Sequence, residues 1–363
     1  MNPHRQEVRL QVIWDRLLAI VEEQAQMLLR TAFSSTVREA GDLAAGVFDP
    51  EARMLAQAVT GTPGHVNTMA ESVAHFIARF PLASMRPGDQ YITNDPWLAS
   101  GHLHDITVVG PVHRGGSVVA LFACCCHQVD IGGLGQGADG RSIYEEGLQI
   151  APTRLVTEGT LNDELVMLMC DNVRTPFELR GDLLSYVTAN ENAARALLAM
   201  MDEFHLADLA APGATILERS RRAVEDAIGA LPRGTWCHAI TIDGVDRPIE
   251  LRAALTIGSQ DILVDYAGSA LASPFGINVV LNYCLAYTAF ALKCVVAPEV
   301  PNNAGSLAPL RVAAPEGSIL NARRPWPVSA RHVVGQMLPD LVFGCLQQAL
   351  PGRVPAEGAS CTW

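Results

Sequence analysis

The stretch from Asn94 to Gly133 constrains the fold more than any other part of this chain. Two apolar runs, 106–109 and 118–126, lie on either side of the Gly-containing turn 114–117. Short apolar runs joined by a tight turn rich in Gly predict an antiparallel β-hairpin, because Gly adopts the backbone angles that such turns need. We therefore expect the residues just before the first run to lie beside those that end the second.

The polar residues at this open end of the hairpin predict a metal site. A turn centred between positions 115 and 116 pairs Asp105 with Cys126 and His104 with His127, and it brings His102 to the same end. Two imidazoles and one carboxylate with open coordination positions suit a catalytic divalent metal rather than a closed structural one. The alternative is that these side chains are solvated or hydrogen-bonded at the ends of the strands.

Three residues near the hairpin are candidates for proton transfer. Asp130 follows the second strand, His104 lies beside the predicted ligands, and Glu146 follows a Gly-rich segment. A carboxylate or imidazole close to a metal can move protons during hydrolysis. Asp130 could instead orient His127, and Glu146 could be a solvated loop residue. His65, which precedes a predicted helix, is either a turn residue or part of a pocket.

Composition excludes several classes of protein. The 363 residues are 49% hydrophobic and 18% charged, so the chain can bury a large core, and we expect partner subunits to cover much of its surface. A net charge of −12 argues against binding of nucleic acid, which requires a basic surface. The sole lysine, Lys293, belongs to no Gly-rich phosphate-binding loop, so this chain lacks the commonest means of holding ATP.

Cysteine spacing and hydropathy predict the compartment. The nine cysteines form no C-x-x-C pair, and Cys124–Cys126 lie in an apolar run, which favours small buried side chains in a reducing compartment. The first residues lack the apolar segment of a signal peptide. No run of about eighteen apolar residues, the length of a membrane span, occurs. We therefore expect a cytoplasmic protein that does not cross a membrane.

Hydrophobic periodicity predicts an α+β chain, a mixed multi-domain fold with antiparallel β-hairpins and packed helices. Residues 1–210 are the predicted N-terminal domain with the metal site, and residues 211–363 are a predicted antiparallel meander with helices. Asn67 is the expected N-cap of the second helix. Helices are predicted at 5–33, 68–80, 161–169, 177–201, 215–230, 278–296 and 331–350. Strands are predicted at 43–48, 54–58, 90–93, 106–109, 118–126, 236–242, 249–257, 261–265 and 310–314.

Segments spread over nearly the whole chain resemble those of one known family. They are FSSTVREAGDLAAGVFDPEARMLAQ, GTPGHVNTMAESV, GDQYITNDPWLASGHLHDITVVGPV, HQVDIGG, SIYEEGLQIAPTRL, DNVRTPFELRGDL, NNAGSLAPLRVAAPEGSILN and FGCLQQALPGRVPAEG. With these segments the chain resembles the hydantoinase B family. That family comprises the B-type subunits of N-methylhydantoinase and of ATP-dependent 5-oxoprolinase, together with a related subunit of acetone carboxylase.

The resemblance implies an enzyme made of two kinds of subunit. An A-type partner with an actin- or acetate-kinase-like fold binds ATP and phosphorylates the substrate, while the B-type subunit holds a divalent metal, manganese or zinc. The family's metal residues fall on His102, Asp105 and His127, which the hairpin also brings together. The implied activity is ATP-dependent hydrolysis of a cyclic amide (a hydantoin, 5-oxoproline or a lactam) by a hetero-oligomer.

This chain departs from the family pattern at two positions and in length. His104 stands where the family commonly has Pro, and Gln128 stands where it often has His or an aromatic residue. Family members usually continue beyond the point where this chain stops, so we expect it to be truncated relative to them. Two alternatives therefore remain open. The chain could be a subunit of an ATP-dependent ketone carboxylase, or a truncated scaffolding subunit without chemistry of its own.

Overall fold

Residues 3–59 and 63–356, which the computed structural model describes, form α-helices and β-strands. The helices are α1 (Pro3–Thr31), α2 (Ser35–Arg38), α3 (Pro63–Arg79), α4 (Asp163–Asp171), α5 (Pro176–Glu203), α6 (Ala210–Gly229), α7 (Leu281–Val296), α8 (Ala304–Leu307), α9 (His332–Gly335) and α10 (Leu338–Ala349). The strands are β1 (Leu43–Phe48), β2 (Met54–Gln57), β3 (Gln90–Thr93), β4 (Asp105–Arg114), β5 (Ser117–His127), β6 (Thr153–Thr157), β7 (Thr160–Leu161), β8 (Gly234–Ile242), β9 (Ile249–Ile257), β10 (Ile262–Asp265) and β11 (Leu310–Ala313). The predicted α+β class, with antiparallel hairpins and packed helices, is confirmed.

The predicted hairpin, β4 and β5, forms the centre of a seven-stranded antiparallel sheet with the order β2-β1-β5-β4-β3-β6-β7. Helices cover both of its faces, which explains why its strands read as continuous apolar runs. Cys124 and Cys126 pack into the core shared with α1 and α5. Cys125 packs into the second core, on the side of α3. Adjacent strand residues point to opposite faces, so the three cysteines are divided between two cores.

The pairing of the hairpin differs by one residue from the predicted register. Near the turn, Arg114 pairs with Ser117 as expected. A bulge between Val112 and His113 then shifts by one residue every pair from Val112 to the open end of the hairpin at Asp105. As a result Asp105 lies opposite His127, and the predicted pairing of Asp105 with Cys126 is wrong. A β-bulge inserts one extra residue into one strand of a pair, so the residues beyond it face different partners. The bulge therefore puts the carboxylate and the imidazole directly opposite each other.

A second sheet follows in the C-terminal half, with the order β11-β10-β9-β8. Its first three strands in the chain form the predicted antiparallel meander, whereas β11 joins β10 in parallel. Apolar side chains from both halves of the chain, such as Leu17, Leu217 and Leu251, belong to the same buried core. The proposed domain boundary near residue 210 stays a prediction.

Two helix starts differ from prediction because of proline. The helix predicted at 68–80 is α3, which begins at Pro63, so Asn67 is not its N-cap. Asn67 lies inside the helix, where its side-chain amide donates to the Ala286 carbonyl at 3.1 Å. The predicted helix 331–350 is divided into α9 and α10, and Pro339 lies in the first turn of α10. Proline fits the first turn of a helix because its nitrogen has no hydrogen to leave unpaired. Within the described part of the chain, none of the helices is long and apolar enough to cross a membrane.

Candidate metal centre

Asp105 lies at the centre of a buried group of charged and imidazole side chains. Its Oδ1 atom is 2.7 Å from Nε2 of His102 and 2.9 Å from Nδ1 of His127. Its Oδ2 atom is 2.8 Å from Nε2 of His65 and 2.6 Å from Nη2 of Arg331. The Asp105 side chain itself is fully buried. Each carboxylate oxygen therefore has its own set of partners.

The fold brings these residues together from the hairpin β4–β5 and the turn before it, from α3 and from the segment before α9. Asp105 is the first residue of β4 and His127 the last residue of β5, and the two are direct cross-strand partners. His102 precedes β4 by three positions, on the turn that leads into the strand. His65 lies in the first turn of α3, on the face of the sheet that this helix covers. Arg331 comes from the segment just before α9.

The hydrogen bonding of His102 leaves one of its nitrogen atoms as a bare electron-pair donor. Its Nδ1 atom is 3.0 Å from the carbonyl oxygen of Ser329, and a carbonyl oxygen can only accept, so Nδ1 carries the proton. Its Nε2 atom is buried and makes no hydrogen bond among the described residues, although Asp105 Oδ1 is only 2.7 Å away. His102 Nε2 and Asp105 Oδ1 therefore each direct an electron pair into the space between them.

Two facing electron pairs repel each other unless a proton or a cation lies between them. A proton on His102 Nε2 is disfavoured, because burial and the nearby Arg331 hold the pKa of His102 well below its ordinary value. The donor atoms of His102, Asp105 and His127 lie within 4.8 Å of one another. Their types and arrangement therefore fit a divalent cation.

His65 joins this group to a second carboxylate, Asp42. Its two ring nitrogens contact Asp105 at 2.8 Å and Asp42 at 3.2 Å. Burial acts to lower the pKa of His65, but the two carboxylates outweigh it and raise that pKa above its ordinary value. Two further sets of ligand atoms also lie within 4.8 Å of one another: Asp42, His65 and His127, and His65, Asp105 and Cys125. His65 thus links the two carboxylates at the edge of the proposed ligands.

Arg331 is a buried cation that holds one oxygen of Asp105. Its Nε atom donates to the Ser100 carbonyl at 2.7 Å, and its guanidinium lies 4.1 Å from the centre of the Tyr283 ring. Burial acts to raise the pKa of Asp105, but the surrounding imidazole and guanidinium groups outweigh it and hold that pKa well below its ordinary value. Asp105 is therefore a carboxylate in the folded protein, with Oδ1 directed toward His102 and His127.

His104 is buried beside the proposed ligands. The centre of its ring is 5.4 Å from that of His102 and 5.5 Å from that of His127. Neither of its ring nitrogens has a hydrogen-bond partner among the described residues. Burial and His127 lower the pKa of His104 to about 3, so the ring is neutral at ordinary pH. Its predicted catalytic role stays a prediction.

The two carboxylates predicted to move protons have mainly backbone partners. Asp130 pairs with the guanidinium of Arg174 and accepts from the Gly132 N–H at 3.0 Å, which ties the Gly-rich loop to the start of α5. Glu146 is buried, and its Oε1 atom accepts from the backbone N–H groups of Val328 at 2.7 Å and Ser329 at 2.8 Å. The proposed proton transfer by either residue stays a prediction.

The stability of the fold should depend on pH through Glu146. Burial raises the pKa of Glu146 to about 7, against the lowering effect of the Ser329 and Val328 N–H groups. The folded protein thus binds this proton more tightly than the unfolded chain, whose carboxyl has the ordinary pKa of 4.5. The stabilisation is complete below about pH 4.5 and is lost as the pH rises through about 7.

Glu146→Gln, which does not titrate, provides the reference for this pH dependence. The free energy of unfolding of the wild type relative to the variant should fall by on the order of 2–4 kcal/mol between about pH 4.5 and about pH 8. Urea unfolding at several pH values measures it. A difference between the two proteins that is independent of pH would contradict the assignment.

Sequence reasoning missed Asp42 and Arg331 as members of this group, and it left His65 undecided between a turn and a pocket. A proline at the first position of a helix was the available signal for His65, because a helix that starts at Pro63 places His65 in its first turn. Arg331 lies 226 residues from Asp105 and gave no local signal.

The model of the hydantoinase B/oxoprolinase family matches residues 6–363, and several curated relatives match nearly all of this chain. An uncharacterized protein of Methanocaldococcus jannaschii is 29% identical, over 96% of this chain and 63% of its own length. A 5-oxoprolinase of Dictyostelium discoideum is 26% identical, over 93% of this chain and 27% of its own length. A putative B-type D-/L-hydantoinase subunit from a Pseudomonas species is 23% identical, over 96% of this chain and 62% of its own length. This chain thus spans less than two thirds of each of these relatives.

Solved structures share the fold, two of them over 96% of this chain. The crystal structure of an ATP-dependent caprolactamase from Pseudomonas jessenii matches with a TM-score of 0.89 and 24% identity, over 96% of this chain and 61% of that one. A nucleotide-free structure of acetone carboxylase matches with a TM-score of 0.88 and 16% identity, over 96% of this chain and 49% of that one. At these identities the likeness shows a common architecture.

Proposed function

Because this chain belongs to the hydantoinase B/oxoprolinase family, we propose that it is the metal-containing B-type subunit of an ATP-dependent enzyme that opens cyclic amides. It acts with an A-type subunit that binds ATP, in a hetero-oligomer. The substrate class is a hydantoin, 5-oxoproline or a lactam. The relatives named as an oxoprolinase, a hydantoinase subunit and a caprolactamase support this class.

One observation carries the chemical part of the proposal. The bare Nε2 atom of His102 and the Oδ1 atom of Asp105 are buried 2.7 Å apart without a hydrogen bond between them. With His127 they form a set of one carboxylate and two imidazoles, which manganese and zinc both accept. A divalent cation bound there would supply a positive charge that polarises substrate or water.

The remaining residues of the group would prepare this reaction. Arg331 and His65 hold Oδ2 of Asp105, so the other oxygen of the carboxylate is directed toward the proposed site. His104 is neutral and neither of its ring nitrogens has a hydrogen-bond partner among the described residues, so one nitrogen can donate a hydrogen bond to substrate or water and the other can accept one. An amide resists attack by water because its carbonyl is stabilised by resonance and its nitrogen is a poor leaving group. Phosphorylation of the amide oxygen by the partner subunit would remove that resistance.

The location of the only lysine supports the placement of ATP on the partner. Lys293 lies on α7 and is largely buried, and its Nζ atom donates to the Val300 carbonyl at 2.6 Å. Burial lowers the pKa of Lys293 to about 8. A lysine enclosed in this way is unavailable to nucleotide phosphates, and this agrees with the lack of a phosphate-binding loop in the sequence.

A ketone carboxylase is the second candidate, because acetone carboxylase has the same fold, with a TM-score of 0.88. Assays of ATP cleavage with the A-type partner separate the two. Hydantoin, 5-oxoproline, a lactam, and a ketone with bicarbonate should be supplied singly. Cleavage stimulated by a cyclic amide, lost after dialysis against a chelator and restored by manganese or zinc, is the expected result.

Each of the other outcomes would reject part of the proposal. Stimulation only by the ketone with bicarbonate would assign the chain to the carboxylases. Full activity after the metal is removed would exclude a catalytic cation. A purified complex that takes up no divalent metal and responds to none of these substrates would identify a scaffolding subunit.

A further inference from the structure

We propose that Glu146 is a positioning residue, whose carboxylate holds the backbone segment Val328–Arg331 in the place where it orients both His102 and Asp105. This assignment rests on the proposed function, because His102 and Asp105 are two of its three metal ligands. It gives Glu146 a structural task at the site in place of the proton transfer predicted from sequence.

The contacts of Glu146 are directed to the backbone of this segment. The side chain is 1% exposed, and one oxygen, Oε1, accepts from two successive N–H groups, those of Val328 at 2.7 Å and Ser329 at 2.8 Å. The other oxygen, Oε2, is buried and has no hydrogen-bond partner among the described residues. A single acceptor that binds two adjacent amides fixes the position and the direction of the backbone between them.

The segment held in this way reaches both proposed ligands. The carbonyl of Ser329 accepts from Nδ1 of His102 at 3.0 Å, and Nη2 of Arg331 donates to Oδ2 of Asp105 at 2.6 Å. The first contact decides which nitrogen of His102 is the bare donor, and the second decides which oxygen of Asp105 is directed to the site. Such contacts to metal ligands set the orientation of the ligands, and their loss typically costs 10–100-fold in metal affinity.

The surroundings of the carboxylate consist of closely packed backbone. A Cβ atom at Gly276 would lie 3.0 Å from Oε1 of Glu146, and one at Gly140 would lie 3.1 Å from its Cγ atom. Gly276 also donates to the Ala138 carbonyl at 2.9 Å and accepts from Ala330 at 2.6 Å. Glycine at these two positions allows the Gly-rich loop and the backbone around residue 276 to close around the carboxylate. The enclosure suits a structural acceptor better than a group that exchanges protons with substrate.

Two substitutions separate positioning from proton transfer. Glu146→Gln keeps an acceptor oxygen at the same reach and removes the acid. Glu146→Asp keeps the acid and shortens the side chain by one methylene, which withdraws the acceptor from both amides. A positioning role therefore predicts that Glu146→Gln keeps more metal affinity and turnover than Glu146→Asp. A role in proton transfer predicts that Glu146→Asp keeps more turnover than Glu146→Gln. Glu145→Gln is the matched control, because Glu145 is the adjacent, exposed carboxylate.

The experiment measures manganese affinity by competition with a chelator, the absorption spectrum of the cobalt-substituted protein, and turnover with the A-type partner. Glu146→Gln and Glu145→Gln should stay within about threefold of the wild type in all three. Glu146→Asp should bind manganese about 10–100-fold more weakly and change the cobalt spectrum. Loss of turnover in Glu146→Gln with metal affinity retained, or wild-type metal affinity in Glu146→Asp, would overturn the proposal.

Hydrogen exchange separates failure of this inference from failure of the proposed function. Amide exchange in peptides that contain Val328 and Ser329 should be slow in the wild type and in Glu146→Gln, and at least about tenfold faster in Glu146→Asp. If the wild type binds no metal but this order holds, the proposed function fails and the positioning of the two side chains stands. Equal exchange in all three proteins would reject the positioning role, whatever the metal content.

Discussion

Asp105→Ala is expected to lower the free energy of unfolding by about 3–5 kcal/mol, the usual cost of removing one partner from a buried ion pair. The carboxylate is fully buried and lies within 2.9 Å of atoms of Arg331, His65, His102 and His127. Without it, the guanidinium of Arg331 remains in the interior and loses the carboxylate that it contacts. Urea-induced unfolding near neutral pH measures the loss.

A double-mutant cycle shows whether this ion pair is the cause. Removing both charges, with Asp105→Ala and Arg331→Met, should destabilise the protein by less than the sum of the single changes, with a coupling of about 0.5–3 kcal/mol. Glu203→Ala breaks the exposed pair of Arg16 and Glu203, whose side chains are 50% and 58% exposed, and should cost about 1 kcal/mol or less. An Asp105→Ala effect as small as that of Glu203→Ala would contradict the central role of the buried carboxylate.

His102→Ala is expected to abolish binding of the divalent metal and to reduce turnover by more than about 100-fold, while the fold is retained. Groups that only orient a ligand contribute about 10–100-fold, so loss of the ligand itself should cost at least as much. The side chain supplies the bare Nε2 atom beside Asp105 Oδ1. Elemental analysis of metal content, turnover with the A-type partner and far-UV circular dichroism measure the three parts of the expectation.

His75→Ala is the matched control for this variant. His75 lies on α3, like His65, but is exposed to solvent. Its replacement should leave metal content, turnover and circular dichroism at wild-type levels. A His102→Ala protein with full metal content and full turnover would remove His102 from the site. Loss of circular dichroism in the same variant would show that His102 is needed for folding.

The hairpin and its open end could be predicted because the signals are local. Two apolar runs, a Gly turn and polar residues at the strand ends all lie within about forty positions, and such patterns report strand pairing directly. They suffice to place the segments that carry Asp105 and His127 side by side. The predicted register was wrong by one residue because a bulge at Val112 leaves no mark in the hydrophobic pattern.

The rest of the group could not be predicted, because its members meet only through packing. His65 reaches Asp105 from α3, and Arg331 reaches it from the other half of the chain. Glu146 was recognised as an acid, but its task depends on the backbone N–H groups of Val328 and Ser329, which lie more than 180 positions away. A charged residue in a loop has the same appearance in sequence whether it is solvated or enclosed.

The strands of the central hairpin, the identity of three candidate ligands and the membership of a family follow from the amino-acid sequence, because each of these rests on neighbouring residues or on recurring segments. Packing is needed to establish which nitrogen of His102 is bare, which oxygen of Asp105 is directed inward and what holds them there. These properties depend on burial and on contacts between segments distant in the chain, which set pKa values, protonation and orientation. Those contacts exist only once the two halves have packed around the sheet.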